Sequence, residues 1–252
     1  MTNSILNISC VIIAKNAAST IADTLASLAL FDDIIVYHND STDNTADIAK
    51  KFNNVTLVEG EFTGFGPTKN KAASFAKYDW VLSLDADEVL SNAFIDGLNK
   101  ITLDKETIYT LERENYYRTT QIKYCWGNDI IPRLYNKQNT SFNSQNVHES
   151  IMLEGFSIQH ITGPIRHYPY ASITDFIIKL DRYSTLYAND HQGKKSSSPL
   201  KALINAHFAF FKTYFLKKGF LDGYPGLIIA FSHMATTFYK HMKLYEVNKA
   251  LS

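Results

Sequence analysis

The sequence predicts an α/β fold: a mainly parallel central sheet with helices on both faces, extended at its C-terminal end by further helices. Three observations carry that prediction. Short, mostly apolar runs recur at 8–14, 34–37, 55–58 and 80–84, the first of them rich in β-branched residues, the pattern of strands covered on both faces. Helix-forming stretches alternate with them, which makes βαβ units and a parallel sheet. After Pro169 the chain reads as helices, at 172–189, 200–217 and 226–245.

Each element has a local reason. Ile8 to Ala14 is apolar apart from Ser9. Ser19 and Thr20 are placed to cap a helix reaching about residue 30, with Ile21, Leu25 and Leu28 on one stripe. The strand at 34–37 leads into a dense polar turn, Asn39-Asp40-Ser41-Thr42-Asp43-Asn44, and then a helix to residue 52. After the strand at 55–58, Gly64-Phe65-Gly66-Pro67 breaks the chain before a helix over 69–77. The strand at 80–84 runs straight into Asp85-Ala86-Asp87-Glu88. From about residue 108 the pattern becomes alternating and aromatic, with another strand around 130–134, so antiparallel strands join the sheet. Gly193 to Pro199 is the clearest linker, and the division expected is a domain over 1–170 and a helical extension over 171–252.

Composition bounds the class. With 252 residues and 45% hydrophobic content the chain buries a sizeable core, which excludes disorder and small stapled scaffolds. Two cysteines, Cys10 and Cys125, make no disulfide framework and point to a reducing compartment. No secretory signal and no run of roughly 18 apolar residues is present, so the expectation is a cytoplasmic protein. The net charge of zero hides a split. Residues 1–191 hold 16 basic and 23 acidic side chains, net −7, whereas residues 192–252 hold 9 lysines and 2 acids, net +7. Eleven of those last 61 residues are Phe or Tyr. In 200–215 the apolar positions Leu200, Leu203, Ile204, Phe208, Phe211 and Phe215 form one helical stripe. Two readings follow: aromatics packed as core against the preceding domain, or an interfacial helix pair whose lysines meet anionic lipid. Nucleic-acid binding is disfavoured, because the lysines alternate with the aromatic stripe and no recognition motif appears.

Asp85 and Asp87 leave the sheet at the carboxyl end of a strand, where α/β sheets bind ligands. Mg²⁺ or Mn²⁺ favours a few carboxylate oxygens and keeps positions open for phosphate. Such an Asp-x-Asp suits a diphosphate. With Ala14-Lys15-Asn16 ending the first strand and the polar turn after the second, the arrangement resembles the inverting glycosyltransferases of family 2, which have the GT-A fold and use nucleotide-sugar donors. The segments 62–72 and 79–88, with Pro132-Arg133-Leu134-Tyr135, Val147-His148-Glu149, His167-Tyr168, 179–184 and 219–223, resemble its lipopolysaccharide-core β-glucosyltransferase branch along nearly the whole chain.

The resemblance implies a site. Ala14, Lys15, Asn16, His38 and Asp40 would hold the nucleoside, with Lys69 and Asp85 on the diphosphate. His38 stands where the family usually has an aspartate, and either its neutral imidazole or Asp40 is left to accept from the base. Lys69 is expected at the start of its helix, facing the diphosphate together with the helix N-terminus. The metal falls to Asp87, with His148 preferred over His167 as a further ligand. The general base falls to Glu149, ahead of Glu88 and Asp129. Arg133 is assigned to diphosphate or an anionic acceptor, and Lys179 and Arg182, on one helix face, to phosphorylated inner-core sugar. The implied reaction moves a hexose, glucose from UDP-glucose above others, onto an inner-core heptose of lipopolysaccharide or lipooligosaccharide, at the cytoplasmic face of the inner membrane. Galactose or N-acetylglucosamine donors, capsule or protein acceptors, and a binding module without turnover are the alternatives.

Overall fold

The computed structural model describes residues 7–127, 129–144 and 149–250. Its elements, in chain order, are β1 (Ile8–Ala14), α1 (Ile21–Ser27), β2 (Ile34–His38), α2 (Thr45–Ala49), β3 (Val55–Glu59), α3 (Phe65–Ala73), β4 (Trp80–Asp85), β5 (Glu88–Leu90) and α4 (Asn92–Leu98). They continue as β6 (Thr107–Tyr117), β7 (Thr120–Gln121), β8 (Asp129–Asn136), β9 (Ser157–Tyr170), α5 (Ile173–His191), α6 (Pro199–Phe211) and α7 (Gly223–Lys249). A π turn, Lys212–Leu216, and a 3-10 turn, Gly219–Asp222, join α6 to α7.

The strands form a mixed sheet in the order β3-β2-β1-β4-β8-β6-β9-β5, with β7 on β6. β3, β2, β1 and β4 pair in parallel, and β8 then runs antiparallel to β4. The parallel register sets Ala14 beside His38 and Ile13 beside Asp85, so three strand ends lie side by side. Alternation along β1 divides the core. Cys10 and Ile12 pack with α1, α2 and α4, whereas Val11 packs with Ala72 and Ala73 of α3 on the other face. Helices therefore cover both faces. Leu25 and Ile12 are wholly buried, each worth about 1.5–3 kcal/mol relative to exposure. Cys10 is buried among them, and burial followed by the Asp33 charge raises its thiol pKa well above the ordinary value.

α3 departs from expectation. It begins at Phe65, so Gly66 and Pro67 lie inside its first turn. Proline is tolerated there because the first helical N–H groups have no intrahelical acceptor. Gly66 is required by close approach, since a Cβ would lie 1.9 Å from the Asn143 carbonyl oxygen. Lys69 consequently sits in the second turn rather than at the helix start. Three strands, β5, β7 and β9, and the short α4 have no counterpart among the expected elements.

The described chain divides into two compact units. The first takes residues through Glu114 and then those up to His167; the second takes Asn115–Gly127 and everything from Tyr168. In the second unit, α5 opens with a capping box. Ser172 Oγ accepts from the Asp175 amide, and Asp175 accepts from the Ser172 amide at 2.8 Å. α7 packs against both α5 and α6. Ala202 and Ala206 are the buried residues of α6, whereas its stripe of Leu200, Leu203, Ile204, Phe208 and Phe211 is exposed, as is Phe215 beyond it. That stripe is not core. Asp222, at the foot of α7, accepts from the amides of Lys123 and Cys125 at 2.8 Å each and of Tyr124 at 3.2 Å. Gly226 allows the turn to close, because a Cβ there would meet the Gly219 carbonyl oxygen at 1.9 Å. No helix among the described residues is long and apolar enough to cross a membrane.

Candidate active site

The site grows from the three adjacent strand ends of the first unit. At the end of β1, Asn16 adopts a left-handed backbone (φ 52°), as does Asp40 beyond β2 (φ 42°), a conformation that Asn and Asp tolerate better than most residues. The two loops are tied together. Asn16 donates its amide to Ser41 Oγ at 3.0 Å, and its Oδ1 accepts the Thr42 amide at 2.8 Å. Ala17 and Ala18 donate to Thr45 Oγ1 and Asp43 Oδ2. Ala14 is buried, its carbonyl accepting from Asn39, while Lys15 and Asp40 are exposed. His38 is buried, and its Nε2 accepts the Ser41 amide at 3.3 Å, so that nitrogen already serves the turn.

Behind this ledge lies a network of charged groups. Asp85, the last residue of β4, accepts from Lys69 Nζ at 3.0 Å through one oxygen and from Arg133 at 2.6 Å through the other. Lys69 Nζ also donates to Glu149 at 3.1 Å, and Lys69 itself is only 3% exposed. Its cation is thus committed to two carboxylates instead of standing at a helix N-terminus. Glu88 is wholly buried and takes Arg113 at 3.1 Å, Arg133 at 3.2 Å and the Asp85 amide at 2.9 Å. These bonds make Glu88 a structural anchor. Arg113 then reaches Asp129 at 2.9 Å, across the β6–β8 pair in which the two residues are in register.

Ionisation follows from this wiring. Burial raises the Asp85 pKa, but the Arg133 charge, then Lys69, outweigh it and hold the carboxyl well below the usual carboxylate range. Burial alone would lower the Arg133 pKa, and Asp85 and Glu88 beside it raise it further above its ordinary value. The Nε atoms of Arg113 and Arg133 are buried without a hydrogen-bond partner.

Asp87, two residues past the strand, lies with Oδ1 3.6 Å from His167 Nε2. His167 arrives there because β9 pairs with β5, His167 opposite Glu88. His148, the histidine preferred from sequence, lies outside the described residues. Among the described residues no three His, Cys, Asp or Glu side chains cluster as a ready-made cation cage. An aspartate and an imidazole nevertheless fit a divalent cation that takes its other ligands from phosphate and water. Lys179 and Arg182 are on α5, in the second unit. Lys179 Nζ is bonded to the Pro169 carbonyl at 2.7 Å and lies over the Tyr170 ring, while Arg182 is exposed. Arg113 joins the network through the β6–β8 register that sets it opposite Asp129, a placement that the sequence alone does not signal.

Residues 9–152 match the family described as Glycosyl transferase family 2. An uncharacterized glycosyltransferase of Rickettsia prowazekii is 31% identical over 96% of this chain and 87% of its own length. A Rhizobium meliloti protein named lipopolysaccharide core biosynthesis glycosyltransferase LpsC is 24% identical over 94% of this chain and 93% of its own. The crystal structure of Staphylococcus aureus TarS 1–349 in complex with UDP is 16% identical, covering 98% of this chain and 91% of that one, with a TM-score of 0.44. The chain belongs to glycosyl transferase family 2. Its fold class, an α/β sheet with C-terminal helices, is the GT-A arrangement that the sequence resemblance implied.

Proposed function

We propose that the protein is an inverting hexosyltransferase that takes glucose from UDP-glucose and places it on an inner-core heptose of lipopolysaccharide or lipooligosaccharide, working as a peripheral protein at the cytoplasmic face of the inner membrane. The observation that carries the chemistry is Lys69, whose buried cation joins Asp85 of the Asp-x-Asp to Glu149. One side chain thereby links the donor-binding carboxylate to the candidate base. The acceptor assignment draws on the near-full-length similarity to LpsC.

In this reading the loops bearing Ala14, Lys15, Asn16, His38 and Asp40 receive the nucleoside, and Lys69 and Arg133 hold Asp85 in place at the diphosphate. Glu149 takes the proton from the acceptor hydroxyl as that oxygen bonds to the anomeric carbon. The bond to the UDP oxygen breaks on the opposite face, and the electron pair leaves with UDP. Asp87 and His167 would hold Mg²⁺ or Mn²⁺, which when bound neutralises charge developing on the leaving diphosphate. A hydrogen bond from Lys69 keeps Glu149 aimed until the hydroxyl arrives.

Incubating the purified protein with a panel of UDP-hexoses and a truncated core glycolipid, and weighing the product, tests this. A mass gain of one hexose from UDP-glucose, abolished by EDTA and by Asp87→Asn, is expected. Transfer undiminished by both treatments removes the metal and Asp87 from the mechanism. Gain from UDP-galactose or UDP-N-acetylglucosamine alone changes the sugar and keeps the chemistry. UDP binding with no product from any donor or acceptor, capsule and protein included, favours a binding module.

A further inference from the structure

We propose that the second unit docks on an anionic lipid bilayer through a continuous aromatic face formed by α6, the π turn after it and α7. On α6 the exposed residues Leu200, Leu203, Ile204, Phe208 and Phe211 recur at helical spacing, and Phe208 remains 58% exposed. The residues that α6 buries, Ala202 and Ala206, are small and lie off that stripe, so α6 rests on α7 through short side chains and leaves its large ones outside.

The face does not end with α6. The Phe211 and Phe215 rings are 5.4 Å apart, Phe215 meets Phe210 at 6.4 Å, and Phe210 meets Phe231 of α7 at 5.0 Å. Phe231 in turn lines an apolar groove of about 340 Å³ between α5 and α7, shared with Ile177 and Leu227, both exposed. Contiguous exposed apolar surface on this scale is uncommon on a freely soluble monomer and marks an interaction surface.

Charge selects the partner. Between residues 192 and 221 the chain carries Lys194, Lys195, Lys201, Lys212, Lys217 and Lys218, all exposed, and no acid. A second copy would set lysine against lysine. An anionic bilayer satisfies both halves of the surface, admitting the rings at its acyl boundary and holding the lysines at its headgroups. Since no described helix can cross a membrane, the helices would lie on it. This docking rests on surface composition and stands apart from the transfer chemistry, although a lipid-borne acceptor would be met there.

Sedimenting the full-length protein with vesicles of phosphatidylcholine, with and without phosphatidylglycerol, tests the proposal. The protein is expected to pellet with phosphatidylglycerol vesicles and to be released by salt. Phe211→Ser with Phe215→Ser, and separately Lys212→Glu with Lys217→Glu and Lys218→Glu, should each weaken vesicle binding about tenfold or more. All five side chains are exposed, and unchanged circular dichroism checks that the variants fold. Absence of pelleting, or pelleting that neither variant weakens, overturns the proposal, and equal pelleting with phosphatidylcholine alone overturns its anionic partner. A dimer in solution that the phenylalanine variant dissolves, without vesicle binding, assigns the face to a second copy instead. Because pelleting requires no donor, failure of sugar transfer leaves this result readable, and the reverse holds too.

Discussion

Arg133, on β8, reaches Asp85, at the end of the neighbouring antiparallel β4, across 2.6 Å. The same guanidinium nitrogen reaches Glu88 at 3.2 Å. The Asp-x-Asp therefore does not project from the sheet as an isolated acidic turn. Its first carboxylate is wired into the protein's own cations, and its second stands by a histidine. Asp85 is thereby held in one orientation by Lys69 and Arg133, so that little reorganisation is left for it to undergo.

Glu88→Ala is expected to destabilise the fold by about 3–5 kcal/mol, because two arginines and one backbone amide lose a wholly buried acceptor together. Glu88→Gln, which keeps an acceptor oxygen, should cost less. Urea unfolding at neutral pH measures both, and a loss below about 1 kcal/mol for the alanine variant would contradict the anchoring role.

Glu149→Gln should keep its bond to Lys69 while losing the ability to take a proton. We expect kcat to fall by about 100-fold or more with the melting temperature little changed. Lys69→Met should lower both, since Asp85 and Glu149 then face each other without their shared cation. An unaltered kcat in Glu149→Gln would move the base elsewhere.

Asp222→Ala removes the acceptor for three consecutive amides, and about 2–4 kcal/mol of stability should go with it. Burial, followed by the Asp222 bond and charge, raises the Cys125 thiol pKa to about 12. Faster alkylation of Cys125 in the variant would report that the loop has opened.

The helical unit should weaken in mild acid. Burial, then Lys217, lowers the pKa of His233, and burial, then Lys240, Lys201 and Lys195, lowers that of His241. A depressed folded pKa means that the unfolded chain binds the proton more readily. The contribution is present above the unfolded value of about 6.5 and is lost as pH falls below it toward the folded values. Melting temperature should drop between about pH 7.5 and about pH 5.5, and the drop should shrink in His233→Gln with His241→Gln. An identical slope in that variant would place the acid sensitivity elsewhere.

The parallel half of the sheet was legible because its strands are mostly apolar runs ending in polar loops, and the place of Asp85 at the end of β4 was legible with it. β9 was not. It carries Gly163 and Pro164 in mid-strand, a combination that argues against a strand, yet Gly163 is needed there at φ 93°, where a Cβ would lie 2.3 Å from the Ala93 backbone. Missing β9 and β5 meant missing the pairing that carries His167 to Asp87. The network of Lys69, Arg113, Arg133 and Glu88 was hidden for a related reason. Its partners lie 16 to 80 residues apart and meet only through sheet register, which composition does not reveal. The aromatic stripe of α6 was visible in sequence, but its outward direction depends on which residues α7 accepts, and that choice fell on the alanines.

The clasp at Asp222 also sets a schedule for the ribosome. Its amide donors emerge 97 to 99 residues before the carboxylate that satisfies them. At ordinary elongation rates the loop waits on the order of 5–20 s for its partner. The C-terminal helices are consequently no detachable cassette. A nascent chain halted anywhere before residue 222 would carry its loop unclasped, and an exchange of tails between related transferases would have to bring residues 115–127 along with the helices.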